Sequence, residues 1–345
     1  MAVNRHKLWC MVSVYSFTHF LVDFACAFLM FSSIAGTSDW YFCVLLYNFC
    51  AFAMQMPLGI VADNLNRNYL FAIVGCVLVG VAYGISTIPI AAVVVVGIGN
   101  ALFHIGGGID VLNISEQKLG ALGVFVSPGA FGVYFGTILG KGSGFPAIPI
   151  PLALIAAAGL VLAVRKAQRE TCPKNAVFSL EGIGSKRMLA AMALLFLVVC
   201  LRSFVGLALD FSWRSIGFWG IALICAVVFG KTIGGFVADR LGVVKTSLFS
   251  LGIAALLFLL PSIPVAGITA VLLFNMTMPI TLWAMAKILP GAKGFAFGLL
   301  TFGLFIGFLP VYLGVDTSPM AHWLFALLAA VSFILLRTGL RGMNR

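Results

Sequence analysis

Charge is what this chain has least of. Only 9% of its 345 residues are Asp, Glu, Lys or Arg while 62% are hydrophobic, against about 25% and about 45–50% in an ordinary soluble domain. That shortage excludes a water-soluble globule. Cysteine spacing excludes a second class. The eight cysteines, at 10, 26, 43, 50, 76, 172, 200 and 225, fall mostly within apolar runs. They form no Cys-x-x-Cys pair and no His/Cys set of metal-ligand spacing, so they read as small packing residues, and neither a metal nor a cofactor is expected. No Gly-x-x-x-x-Gly-Lys-Ser/Thr loop occurs, so a gradient rather than ATP must supply the energy for any pumping. A Ser-His-Asp set is also missing. His104 and Asp110 lie six apart inside an apolar run, not five apart on a surface loop as an acyltransferase pair would, so a membrane enzyme is set aside.

What is present is a series of apolar runs, each long enough to cross a membrane, for which roughly 20 residues are needed. They fall at about 8–32, 40–62, 69–88, 90–112, 119–140 and 147–165, then at about 188–210, 216–238, 246–262, 264–286, 291–313 and 318–337. This predicts an all-α integral membrane protein of twelve transmembrane helices. The first run has the basic flank of a signal peptide but is too long and lacks a small-residue cleavage site, so it reads as a retained span. Little remains outside the spans, which argues against a receptor with a signalling domain. The organisation expected is an N-terminal six-helix bundle over 1–165, a polar cytoplasmic linker over 166–187 and a C-terminal six-helix bundle over 188–345. Glycine, at 38 residues, exceeds the usual share of about 7% and suits helices that approach closely.

The net charge of +11 would suggest nucleic acid in a soluble protein. With both termini in the cytoplasm, 17 of the 21 basic residues fall on the inner side, and only Lys141 and Arg214 lie outside. That bias is the positive-inside signal. It orients the chain in an inner (plasma) membrane and removes any need for a nucleic-acid partner. The partners expected are the lipid bilayer, a small-molecule substrate and protons, with the chain acting as a monomer.

The halves echo each other. Gly59-Ile60-Val61-Ala62-Asp63 closes the second run and Gly235-Phe236-Val237-Ala238-Asp239 closes the eighth, 176 residues later. The same offset carries Gln55 onto Lys231 and, within one residue, Asn100 onto Asn275. Duplicated six-span halves are a common plan for secondary transporters, with substrate held near the midplane, and they disfavour a channel. Gly59 to Arg67 and Gly235 to Lys245 resemble the two copies of the loop motif Gly-x-x-x-Asp-Arg-x-Gly-Arg-Arg of the major facilitator superfamily. The first copy departs from it, with Asn64 where a basic residue is usual and Asn66 where glycine is usual. A narrower resemblance lies in His19-Phe20-Leu21-Val22-Asp23, Ala101-Leu102-Phe103-His104 and Arg202-Ser203-Phe204-Val205-Gly206, which look like the fosmidomycin-resistance branch, departing where that branch continues Phe-His-Pro-Glu and this chain has Ile105-Gly106. The resemblance implies two six-helix bundles related by pseudo-symmetry and proton-exchanging export of a drug or metabolite. Proton-coupled uptake of a small organic anion is the alternative.

Charge at the bilayer centre costs roughly 2.5–3.5 kcal/mol on insertion scales and normally faces a wet cavity or a partner. His19 and Asp23 lie one turn apart on one helix side, a spacing that serves proton exchange or an interhelical hydrogen bond. Arg202, deep in the seventh run, suits two-pronged capture of an anion or an internal ion pair with Asp23. His104, before Gly106-Gly107-Gly108, reads as a cavity wall or as a helix-to-helix hydrogen bond, and Lys231 as a cavity charge or a snorkelling side chain. Asn48, Gln55, Asn100 and Asn275 offer substrate hydrogen bonds or join helices. Ser127-Pro128 with Gly132, Gly136 and Gly140 partly resembles the superfamily's antiporter signature, and a close-packing face is the plainer reading. At the inner ends Asp63, Arg67, Asp239, Arg240 and Lys245 suggest charge contacts that open and close in a two-state cycle.

Overall fold

The computed structural model describes residues 5–115, 118–142, 144–168, 173–180, 184–316 and 322–343, all helix or connection with no strand among them. Among the described residues ten helices are long and apolar enough to cross a membrane: α1 (Arg5–Ile34), α2 (Trp40–Leu65), α4 (Pro89–Ile114), α5 (Leu119–Lys141), α6 (Pro149–Ala167), α7 (Lys186–Ala208), α8 (Trp219–Leu241), α10 (Pro264–Ile288), α11 (Lys293–Tyr312) and α12 (His322–Met343). Two shorter apolar helices complete the set, α3 (Asn68–Gly84) and α9 (Val243–Leu257). Each coincides with one expected run, because twelve apolar stretches separated by Pro/Gly or polar breaks leave the backbone no way to satisfy its polar groups in lipid except helix. Parts of the expected linker, including Arg169 and Cys172, and the C-terminal Arg345 lie outside the described residues.

Prolines set several boundaries. Pro89, Pro149 and Pro264 stand at helix starts, where the missing N–H costs nothing. Inside spans they break the ladder instead. Pro128 follows a one-residue bend at Ser127 in α5, and Pro279 follows two turn residues, Met276 and Thr277, in α10. A wide turn ends α1 at Met30–Ile34 and another interrupts α2 at Phe49–Ala53, a feature frequent at functional sites.

The helices form two compact units, one of residues 1–117, 124–178 and 291–302, the other of 118–123, 179–290 and 303–345. In the first, α3 packs along α4, and α1 lies along α5 and α6. The α1–α5 contact is intimate because Gly132, Gly136 and Gly140 rest on the α1 backbone near Phe20, Phe24 and Phe28, leaving no room for a side chain. In the second unit α7 packs on α12, α8 on α10, and α9 on α12 and α10.

Candidate functional site

The break at Pro128 builds the first site. Proline lacks the N–H that would bond the carbonyl four residues back, and that carbonyl, on Val124, instead accepts from Ser16 Oγ of α1 at 3.2 Å. One residue on, the Phe125 carbonyl lies 2.7 Å from His19 Nδ1. From α4, His104 Nδ1 lies 2.9 Å from the Asn100 carbonyl of its own helix. A carbonyl only accepts, so both rings carry their hydrogen on Nδ1. Their Nε2 atoms therefore turn lone pairs toward each other, 2.9 Å apart. Asp23 closes the group, with Oδ2 3.2 Å from His19 Nε2 and Oδ1 3.7 Å from His104 Nε2. Asn100 Nδ2 donates to Asp23 Oδ1 at 3.0 Å. Bare lone pairs at that separation repel, so the cluster needs a proton or another cation among them. The Phe103 and Phe125 rings stand 6.1 and 5.2 Å from His19.

This corrects one expectation. Spacing shows no metal-ligand set, yet folding gathers His19, Asp23 and His104 into a group whose donor atoms lie within 4.8 Å of one another. The i,i+4 pair was legible in the sequence, but the third member comes from a helix 85 residues away. Sequence reading also missed Gly129, whose missing side chain admits the cluster: a Cβ there would collide with Asp23 Oδ2 and His19 Nε2. Overpacking of this kind costs about 1–3 kcal/mol, so Gly129→Ala should lower the melting temperature in detergent, whereas Gly206→Ala, with open space around it, should not. Equal melting of the two variants would contradict the packing argument.

The second site centres on Arg202 of α7, 7% exposed. Its NH1 and NH2 reach the hydroxyls of Thr277 and Thr281 at 3.3 Å, in the stretch of α10 opened by Pro279. Among the described residues no carboxylate lies within ion-pair distance of Arg202, whereas Asp23 engages His19, His104 and Asn100. Arg202 and Asn275 line a cavity of about 200 Å³ whose other walls are mainly apolar, with Val205, Leu223, Val227, Phe258 and Phe274 among them. Thr277 and Thr281 carried no sequence signal beyond the neighbouring proline.

The third feature is duplicated. Asp63, at the end of α2, accepts the backbone N–H groups of Gly294 and Phe295 at 2.8 and 2.9 Å, in the first turn of α11. Asp239, at the end of α8, accepts those of Leu119 and Gly120, both at 2.8 Å, in the first turn of α5. A carboxylate on the unpaired N–H groups of a helix start satisfies orphan donors and meets the positive end of the dipole. The contact expected between these aspartates and Arg67, Arg240 and Lys245 is thus replaced by helix capping; those three basic residues are exposed. Asn66 explains the departure in the first motif copy. It caps α2 in the left-handed conformation at φ 50°, which asparagine tolerates better than most residues other than glycine.

The remaining candidates are dispersed. Asn48 and Gln55 bond carbonyls of their own helix, Val44 and Ala51, and Gln55 Oε1 is buried without a partner. Asn275 likewise bonds Val271 while lining the Arg202 cavity. Lys231 is half-buried on α8. The linker does more than connect: Asn175 bonds Asn66, Asn68, Asn113 and the Ala62 carbonyl, and Asn68 with Tyr15 holds buried Asp110.

No protein-family model and no curated protein matches the chain by sequence. Solved structures do match by shape. The Escherichia coli fucose:proton symporter FucP is 14% identical at a TM-score of 0.69, over 97% of this chain and 98% of that one. The chain has the major facilitator fold. The human organic anion transporter MFSD10 is also 14% identical, with a TM-score of 0.66 over 95% of this chain and 99% of that one. A bacterial homologue of the iron transporter ferroportin is 13% identical, with a TM-score of 0.63 over 96% of this chain and 98% of that one. All three pair the major facilitator fold with a transporter's name, and their near-complete coverage extends the likeness over all twelve helices.

Proposed function

We propose that this chain is a secondary transporter that carries a small organic anion across the membrane by alternating access, coupled to protons. The observation that carries the reading is Arg202: a buried guanidinium facing a cavity, with hydroxyls as its partners among the described residues. An unpaired buried charge is costly, and a carboxylate or phosphonate offers the two-pronged partner that removes the cost. Asn275 supplies a further hydrogen bond, and the modest cavity, below the usual range of about 300–1,000 Å³, favours a small cargo. The organic anion and proton-linked sugar transporters of like fold are consistent with this class of work.

In the same reading the His19–Asp23–His104 cluster holds the coupled proton, since its facing lone pairs require a cation. The Asp63 and Asp239 clasps keep the inner side shut in one state and part in the other. Export in exchange for protons is the direction, in keeping with the resemblance to the fosmidomycin-resistance branch. A thermal-shift screen of phosphonates, carboxylates, sugars and cationic drugs identifies the cargo class, because a bound ligand stabilises the folded chain. Transport of the hit in inside-out and right-side-out vesicles under an imposed pH gradient then reads the direction: antiport and symport respond to the gradient with opposite sign. Asp23→Asn should abolish the response to the gradient while cargo still exchanges at equal pH. Wild-type proton movement in that variant, followed by a pH-sensitive dye, would refute the coupling site.

A further inference from the structure

We infer that His19, Asp23 and His104 form a binding site for a divalent first-row transition-metal ion such as Zn²⁺ or Co²⁺. The inference rests on the geometry of the cluster; it concerns the same three residues to which the transport reading gives the coupled proton, and does not depend on that reading. A small ion bound at about 2.0–2.1 Å by three protein donors sets those donors about 3.0–3.5 Å apart. The two Nε2 atoms are 2.9 Å apart, His19 Nε2 is 3.2 Å from Asp23 Oδ2 and His104 Nε2 is 3.7 Å from Asp23 Oδ1, and with one donor atom taken from each residue all three lie within 4.8 Å of one another. The donors are therefore already gathered on one spot, and turning the Asp23 carboxylate so that one oxygen faces both imidazoles brings them around an ion.

The surroundings match as well. Imidazole ligands of metals characteristically donate their second ring N–H to a carbonyl, which fixes the tautomer and aims the lone pair. Both histidines do so, to the Phe125 and Asn100 carbonyls. The carboxylate is in turn held by Asn100 Nδ2. His19 and His104 are 6% and 9% exposed, with the Phe103 and Phe125 rings against the group. Two imidazoles with one carboxylate select a borderline ion over Mg²⁺ or Ca²⁺, which prefer oxygen ligands. Three protein ligands leave the fourth position of a tetrahedral ion to a water molecule or another small ligand. The ion replaces whatever proton the Nε2 lone pairs share, and that proton leaves to solvent.

The test uses the full-length chain in detergent with any polyhistidine tag removed. Co²⁺ titration should saturate at one ion per chain and bring up visible absorption bands of a low-coordinate nitrogen/oxygen site, displaced by Zn²⁺. His104→Gln and His19→Gln should each weaken Zn²⁺ binding by at least about 100-fold, with the melting temperature of the metal-free variants measured alongside to show that they fold. Asp23→Asn, which keeps the shape, should weaken it as well. Absence of saturable Zn²⁺ binding to the folded wild-type chain would overturn the site. So would undiminished binding in the folded histidine variants, since the ion would then sit elsewhere. Neither result touches the anion site at Arg202, which is read by a different ligand.

Discussion

If Arg202 holds the proposed anionic cargo, Arg202→Ala should abolish transport while leaving a folded protein in the membrane. Each hydrogen bond between a guanidinium and an anionic group contributes about 1.5–3 kcal/mol, so losing a two-pronged pair removes about 3–6 kcal/mol. That corresponds to a fall of at least about 100-fold in affinity, and flux drops to the level of empty liposomes. Arg202→Lys retains the charge but loses the planar fork, so it should recover part of the binding with a raised KM. Folding is not at risk in the same way: among the described residues the partners given up are the Thr277 and Thr281 hydroxyls at 3.3 Å, and an uncharged side chain removes a buried charge that has no carboxylate partner there. Equal melting temperatures with lost ligand-induced stabilisation are the expected signature. Unchanged flux in Arg202→Ala would remove the anion site and with it the proposed cargo class.

The second large effect concerns the paired clasps. Removing a side-chain cap from a helix start costs about 0.5–2 kcal/mol, with the dipole interaction of a carboxylate included in the upper part of that range. Asp63→Ala frees the amides of Gly294 and Phe295, and Asp239→Ala those of Leu119 and Gly120. Hydrogen exchange in the first turn of α11 should accelerate about 2–30-fold in the first variant, and in the first turn of α5 by a similar factor in the second. Each single variant should leave the other turn as it was. Combined, the two losses add to about 1–4 kcal/mol against the state that holds both clasps, if distant sites behave additively. Exchange that stays at the wild-type rate in both turns would show that the aspartates do not hold these helix starts.

The origin of these features divides along the range over which information acts. The matched pentapeptides ending at Asp63 and Asp239 announce a duplication, and the twelve apolar runs announce twelve spans, because both are local patterns that lipid converts directly into helix. The function of the aspartates was not visible there. Their partners are backbone N–H groups 231 and 120 residues distant in the chain, and every residue but proline has such a group, so no side-chain motif marks them. Asn66 belongs to the same class: as a departure from a motif it looks like a defect, and only its left-handed conformation shows it doing the work of glycine.

By itself the sequence determined the helical membrane character, the positions of the spans, the duplicated motif and the shared face of His19 and Asp23, since each depends on periodicity or hydropathy within one segment. Tertiary structure alone decided that His104 joins that pair, that Gly129 makes space for it, that Asn175 ties the linker to the first unit, and that Arg202 faces hydroxyls and a cavity rather than a carboxylate. Those outcomes depend on which helix faces meet, and packing across long sequence separations sets that, through contacts a linear pattern does not encode.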